Sequence, residues 1–305
     1  MMAEKAQEMQ FGKSKGEKES PDVVMRTVSK EAPKDPKLYF KGGSQVKALK
    51  GLRIAAWGPS GSGKSNLCFT MPKPVRAINT DFGMYPLLEQ KEFAKWLKPN
   101  LEEDLIEIAE IGAMDELTKE PDPLASLTAI EEALTSLAGM NTGTICLDSG
   151  SDVWQFISHW LEEVAHFRSA KTGDKYQFEW GKANARYRLI MMRIVSKPIN
   201  LVITGQASTL YSGGEQTDQI KADWMKKTPY WADLELEMQR RSDKVFQAKV
   251  RKCRLGANKT DLIINPTYEN IVKWIHTEFP ERTIYTQGIT DISQVQKPVE
   301  TKPLV

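Results

Sequence analysis

The eight residues Gly58-Pro59-Ser60-Gly61-Ser62-Gly63-Lys64-Ser65 fit the pattern G-x-x-x-x-G-K-[ST] at every fixed position. The run before them, Leu52-Arg53-Ile54-Ala55-Ala56-Trp57, is short and mostly apolar and predicts a buried strand, while Ser65 to Thr70 predicts a helix. Strand, glycine loop and helix in that order aim backbone N–H groups and a helix N-terminus at one point, where the helix dipole favours negative charge. That arrangement suits the triphosphate of a nucleotide cradled by all eight residues. Lys64 is placed to reach the β- and γ-phosphates, and Ser65 to offer its hydroxyl to Mg²⁺. An ordinary Gly/Ser turn is the alternative, and it accounts for neither the complete motif nor its flanks.

A chain of 305 residues holds one large α/β domain with tails. Its net charge of +2 gives no general attraction to nucleic acid, so any basic surface must be local. Cys68, Cys146 and Cys253 lie far apart without C-x-x-C spacing, which predicts buried thiols of a reducing compartment rather than disulfides or a zinc site. The N-terminus lacks an apolar signal-like run and no segment is apolar enough to span a bilayer, so the expectation is a cytoplasmic protein with no membrane partner. Residues 1–50 are rich in Lys, Glu, Ser and Pro and predict a disordered arm; 51–280 predict the folded domain, and 281–305 a tail.

Along the domain, Val75 to Ile78 predicts a second strand ending at Asn79-Thr80-Asp81. An acid at the carboxyl end of such a strand is suited to orienting or deprotonating a water, or else to capping a turn before Phe82-Gly83. Met84 to Leu97 predicts a helix, Leu105 to Ile111 a strand, and Pro121-Asp122-Pro123 starts a helix to about Leu137. Thr144-Ile145-Cys146-Leu147-Asp148 is an apolar strand closing on an acid, the form of a Walker B segment. Asp148 and Ser65 are therefore the two Mg²⁺ candidates.

An amphipathic helix follows from Val153 to about His166, whose two histidines, His159 and His166, lack the H-E-x-x-H spacing of a metal site. Residues 168–178 mix basic and aromatic side chains in a loop, and a helix runs from about Glu179 to Val195. Asn200 to Gln206 predicts a buried strand with Gln206 placed to hydrogen-bond the γ-phosphate or a water. The polar stretch from Ala207 to about Lys227 predicts a long flexible loop of lysines and aromatics, the combination that single-stranded nucleic acid binding uses. Leu234 to Met238 and Phe246 to Lys252 alternate strictly and predict a β-hairpin. Its end carries Lys252 and Arg254, two cations that ask for an anionic partner. Asn258-Lys259-Thr260-Asp261 matches a guanine-reading tetrapeptide without the apolar strand that should precede it, and is read as coincidence. Pro266 opens a last helix to about Phe279.

Taken in order, Gly58 to Ser65, Pro72-Lys73-Pro74 leading to Asp81-Phe82-Gly83, Ile145 to Ser149, Gly205-Gln206 and Lys252-Cys253-Arg254 resemble the single-domain RecA-like ATPases common in phage genomes, over about Leu52 to Phe279. The resemblance implies an α/β RecA-like core, mostly parallel and flanked by helices, with a C-terminal β-hairpin, binding ATP and Mg²⁺. It implies a catalytic carboxylate at Asp81, where the family usually has glutamate, and a γ-phosphate sensor at Gln206. It also implies a Lys252/Arg254 pair reaching the nucleotide of a neighbouring subunit, hence self-association into a ring or filament. Single-stranded DNA, through the segments 168–178 and 207–227, and a single-strand-binding protein are the partners it suggests, in recombination, replication or repair. Two other classes fit the same loop: a small-molecule kinase, which needs a lid bearing arginine, and a slow nucleotide-dependent assembly protein, consistent with the shorter Asp81.

Overall fold

The apolar run before the glycine loop forms the central strand of the molecule. In a computed structural model, which describes residues 51–280 apart from 115, 117–120, 173–178, 213–214, 243–244 and 257–260, the chain opens with β1 (Arg53–Gly58), α1 (Lys64–Thr70) and β2 (Val75–Asn79). Next come α2 (Tyr85–Glu89), α3 (Lys91–Glu102), β3 (Ile106–Glu110), α4 (Pro123–Ser136), β4 (Thr144–Asp148), α5 (Gly150–Thr172) and α6 (Trp180–Val195). The chain continues through β5 (Asn200–Ser212), β6 (Glu215–Asp223), a 3-10 turn (Thr228–Trp231), β7 (Leu234–Ser242), β8 (Val245–Cys253), β9 (Leu262–Ile264) and α7 (Tyr268–Glu278).

The strands form one sheet in the order β3-β2-β4-β5-β1-β7-β8-β9, with β6 paired to β5 beyond this path. Strands β1 to β5 and β7 pair in parallel, while β6, β8 and β9 add antiparallel. Period-2 alternation puts Ile54 and Ala56 into a core with α1, α3 and α7, and Ala55 and Trp57 into a second core with α4, α5 and α6. Helices thus cover both faces of a mostly parallel sheet, the expected α/β class, with the C-terminal β7–β8 hairpin in place. The three cysteines are buried free thiols. Among the described residues no helix is long and apolar enough to cross a membrane.

Two expectations need correction. The stretch 207–227 is not a flexible loop. Strand β5 continues past the sheet to Ser212 and pairs antiparallel with β6, so that Gln206 lies opposite Asp223 and Thr209 opposite Ile220. Ala207, Ile220 and Ala222 pack one face of this arm against the second core, but they are too sparse among Ser, Thr, Gln and Lys for apolar alternation to announce a strand pair. The last helix is capped not by Pro266 but by Thr267, whose hydroxyl accepts from Asn270 N–H at 3.2 Å. The segment 173–178 and most of the tetrapeptide 258–261 lie outside the described residues, as do the two tails. Strand β9 and the extension of α5 to Thr172 are additions.

Asn200 ties the central strands together at their lower ends. Its Oδ1 accepts Leu52 N–H at 2.8 Å and its Nδ2 donates to Gly143 O at 3.0 Å, with the side chain fully buried. Asn200→Ala leaves Leu52 N–H in the core without its partner, while Gly143 O keeps the Asn200 backbone N–H at 2.9 Å, and a loss of about 1–3 kcal/mol is expected from the midpoint of urea unfolding. An unchanged midpoint contradicts this role.

Candidate active site

The glycine loop takes its shape from two constraints that only glycine meets. Gly63 caps the N-terminus of α1 at φ 90, in the left-handed region. A Cβ at Gly58 meets Met238 O of β7 at 2.2 Å, so the neighbouring strand backbone passes directly against the loop. Lys64 folds back over the loop, donating from Nζ to Gly58 O at 2.9 Å and Pro59 O at 2.8 Å. Burial lowers its pKa, and the nearby Asp148 and Asp81 oppose that shift.

Parallel register brings the other residues to the same end of the sheet. Gln206 pairs with Gly58 across β5 and β1, and Asp148 pairs with Asn79 across β4 and β2. Because β5 lies between β1 and β4, Gln206 stands between the loop and Asp148. Its side chain is exposed and its N–H donates to the buried Ser151 Oγ at 2.9 Å. Asp81 follows β2, exposed, and its Oδ1 accepts Gly83 N–H at 2.8 Å. The turn-capping reading of Asp81 is therefore realised, and the residue also lines the cleft.

Asp148 is 1% exposed. Thr204 on β5 donates its hydroxyl to Oδ1, while Oδ2 is buried with no hydrogen-bond partner among the described residues. Burial first, and the Asp81 charge second, push its pKa from 3.8 up to about 6; Thr204, the Ser65 hydroxyl and Lys64 hold it down. A buried carboxylate oxygen facing a serine hydroxyl beside a phosphate loop fits Mg²⁺, which takes one or two protein oxygens and fills its octahedron with phosphate and water. No group of three or more His, Cys, Asp or Glu that could hold a metal exists among the described residues.

Loop, Asp81, Ser149 and Gln206 line a cleft of about 730 Å³, within the usual range for small-molecule sites. Its opposite wall holds residues the sequence did not single out: Arg240 and Phe246 from the β7–β8 hairpin, and Asn265 to Thr267. Thr204 was legible in principle, two residues before Gln206 and so on the same face of the strand as a residue aimed at the site. Nothing local in the sequence marked Arg240 or Phe246. They reach the cleft because β7 lies beside β1.

Lys252 and Arg254 do not join this site. Cys253 pairs with Leu234, and Leu234 with Ile54 near the start of β1, so the two cations sit nearly the length of β1 away from the loop, at the opposite end of the strands. There Lys252 Nζ donates to Pro229 O. Both cations also stack on Tyr230, at 5.6 and 5.4 Å from the ring centre.

A raised carboxylate pKa has a definite sign. Between 3.8 and about 6 the folded state holds a proton at Asp148 that the unfolded chain has released, so stability conferred by the protonated form is lost as pH rises through this window. Asp148→Asn is expected to stabilise the nucleotide-free protein at pH 7 by up to about 3 kcal/mol in urea unfolding. It should also remove the Mg²⁺ dependence of nucleotide binding. In the wild type that dependence weakens below pH ~6, where the carboxyl is protonated. A variant that is less stable than wild type, or that keeps full Mg²⁺ dependence, contradicts this assignment.

A family model described as an AAA domain matches residues 50–287, most of the chain. No curated protein matches it. Among solved structures the chain is similar to one titled as the crystal structure of the RadB recombinase, with 12% identity and a TM-score of 0.42 over 71% of this chain and 87% of that one. With a complete phosphate loop, an acid-tipped strand and a family match spanning the whole described core, the chain belongs to the AAA domain family of nucleotide-binding ATPases.

Proposed function

We propose that this ATPase is a RecA-like protein that assembles head to tail and couples ATP turnover to single-stranded DNA. The observation that carries the reading is the division of charge between the two ends of one sheet. The cleft end holds Lys64, Asp148, Gln206 and Asp81, and the far end holds Lys252 and Arg254. A cation pair that far from its own cleft can serve a nucleotide only in another copy.

In this reading all eight loop residues, Gly58 to Ser65, hold the triphosphate, with Lys64 swinging from Gly58 O and Pro59 O onto phosphate. Ser65 and Asp148 hold Mg²⁺, which supplies charge neutralisation at the phosphates. Asp81 orients the attacking water or takes its proton, and Gln206 hydrogen-bonds the γ-phosphate end. Gln206 also lies on the strand that runs on into the β5–β6 arm, giving the nucleotide a continuous backbone path to a surface projecting beyond the sheet. That continuity favours a polymer ligand on the arm. A kinase needs a lid, and the stretch suited to one is instead a paired β-arm.

ATP hydrolysis measured at low salt with and without single-stranded DNA tests the coupling, with Lys64→Ala as the blank. DNA is expected to raise the rate, and added salt to remove the effect as phosphate contacts weaken. Hydrolysis indifferent to DNA removes the nucleic-acid assignment and leaves the ATPase. Arg254→Ala is expected to bind nucleotide normally and to lose turnover by about 10³-fold, the scale of a transition-state arginine. Full turnover in that variant refutes the trans role.

A further inference from the structure

Among the described residues, the charged side chains lining the cleft are Lys64, Asp81 and Arg240. Arg240 comes from a different part of the chain than the loop. Strand β7 runs beside β1 in the same direction, pairing Glu237 with Trp57, and Met238 O lies against Gly58. Arg240 is two residues further on, so it stands on the same side of the strand as Met238 and level with the loop. It is exposed, and its Nε donates to Ser242 O at 3.3 Å within its own hairpin. Its register partner Phe246 packs on the loop itself, since a Cβ at Gly63 would stand 3.1 Å from Phe246 Cδ1. An aromatic contact thus fixes the hairpin against the loop, and the hairpin brings a guanidinium to the cleft wall.

Sheet order gives each of these groups a place along a bound polyphosphate. Across the carboxyl ends of the strands the sequence is Asp81 after β2, Asp148 on β4, Gln206 on β5, the loop after β1, and Arg240 on β7. The three residues on one side of the loop mark the γ-phosphate end. Arg240 stands on the other side, where the α- and β-phosphates lie. We propose that Arg240 is a second phosphate cation supplied by the same chain, holding the α- and β-phosphates from the wall opposite Gln206. The proposal rests on Gly58 to Ser65 being the triphosphate cradle and is independent of assembly and of DNA. A guanidinium presents a planar fork to paired phosphate oxygens, whereas Lys64 supplies a point charge. The α- and β-phosphates persist in the diphosphate product, so the contact strengthens substrate and product binding alike and gives no selective help to the transition state. That separates Arg240 from Arg254, whose proposed role is in turnover.

The test measures ATP and ADP binding to the full chain with Mg²⁺, by competition against a fluorescent ATP analogue. Arg240→Ala is expected to weaken both nucleotides by about tenfold or more and by similar factors, the scale of a lost charge-assisted phosphate contact. KM for ATP should rise by the same factor while kcat stays within about threefold, the mark of uniform binding. Partial recovery in Arg240→Lys separates a lost contact from a folding defect. Arg241→Ala removes the adjacent exposed cation, which does not line the cleft, and should leave both affinities unchanged. Unchanged ATP and ADP affinity in Arg240→Ala overturns the proposal, and so does an equal loss in Arg241→Ala, which makes the effect one of general charge. A loss confined to ATP puts the cation at the γ-phosphate, and a fall in kcat at unchanged KM makes it a transition-state group; either result refutes the assignment. Turnover of an equimolar mixture of Arg240→Ala and Lys64→Ala at low ATP is expected to equal the sum of its parts, and recovery in the mixture makes the arginine a partner's. If wild type binds neither nucleotide, the cradle reading falls and this proposal with it.

Discussion

One buried carboxylate organises the nucleotide end of the molecule. Asp148 is held at the tip of a strand buried along its whole length, and each group that makes its charge tolerable comes from a different element. Thr204 arrives on β5 and Ser65 on α1, while Thr80 N–H after β2 donates to the Asp148 carbonyl at 2.6 Å. Shifting any of these strands by one residue would flip the side chains to the wrong face. The parallel order of β2, β4, β5 and β1 is thus what the site requires, and the two apolar cores on either side hold that order. The buried Oδ2, without a hydrogen-bond partner among the described residues, is a cost the fold carries.

Beside that carboxylate, Thr80, Ser149 and Asp152 form a closed polar cluster. Asp152 Oδ2 accepts from Thr80 Oγ1 at 2.9 Å and from Ser149 Oγ at 2.8 Å, and Ser149 N–H donates to Thr80 Oγ1 at 2.9 Å. The cluster locks the ends of β2 and β4 together and so fixes the backbone leaving β2 toward Asp81. Asp81 itself stays exposed, with one oxygen engaged by Gly83 N–H. A carboxylate already committed to a turn, and one methylene shorter than glutamate, reaches less far into the cleft.

The sequence exposed most of the core, because its strands are buried on both faces and read as short apolar runs ending in polar residues. Thr144 to Asp148 begins and ends as expected. The glycine loop was legible because the chemistry tolerates few residues there. What escaped were features with no local periodicity. The β5–β6 arm packs Ala207, Ile220 and Ala222 on one face, too few apolar residues for their alternation to separate it from a loop. Arg240 and Phe246 depend on which strand lies next to β1, a fact of sheet order that residue types do not encode. The placement of Lys252 and Arg254 opposite the cleft likewise follows only from the antiparallel turn of β8.

That placement also explains why the pair is built as it is. Burial lowers the Lys252 pKa first, and the adjacent Arg254 charge adds to it. Two like charges side by side gain from any nearby anion; among the described residues they stack on one aromatic face, Lys252 donates to a carbonyl oxygen, and the charges of Glu235 and Asp233 favour the Lys252 cation. The face of Tyr230 offers electron density without neutralising either charge, so both cations stay available on the surface.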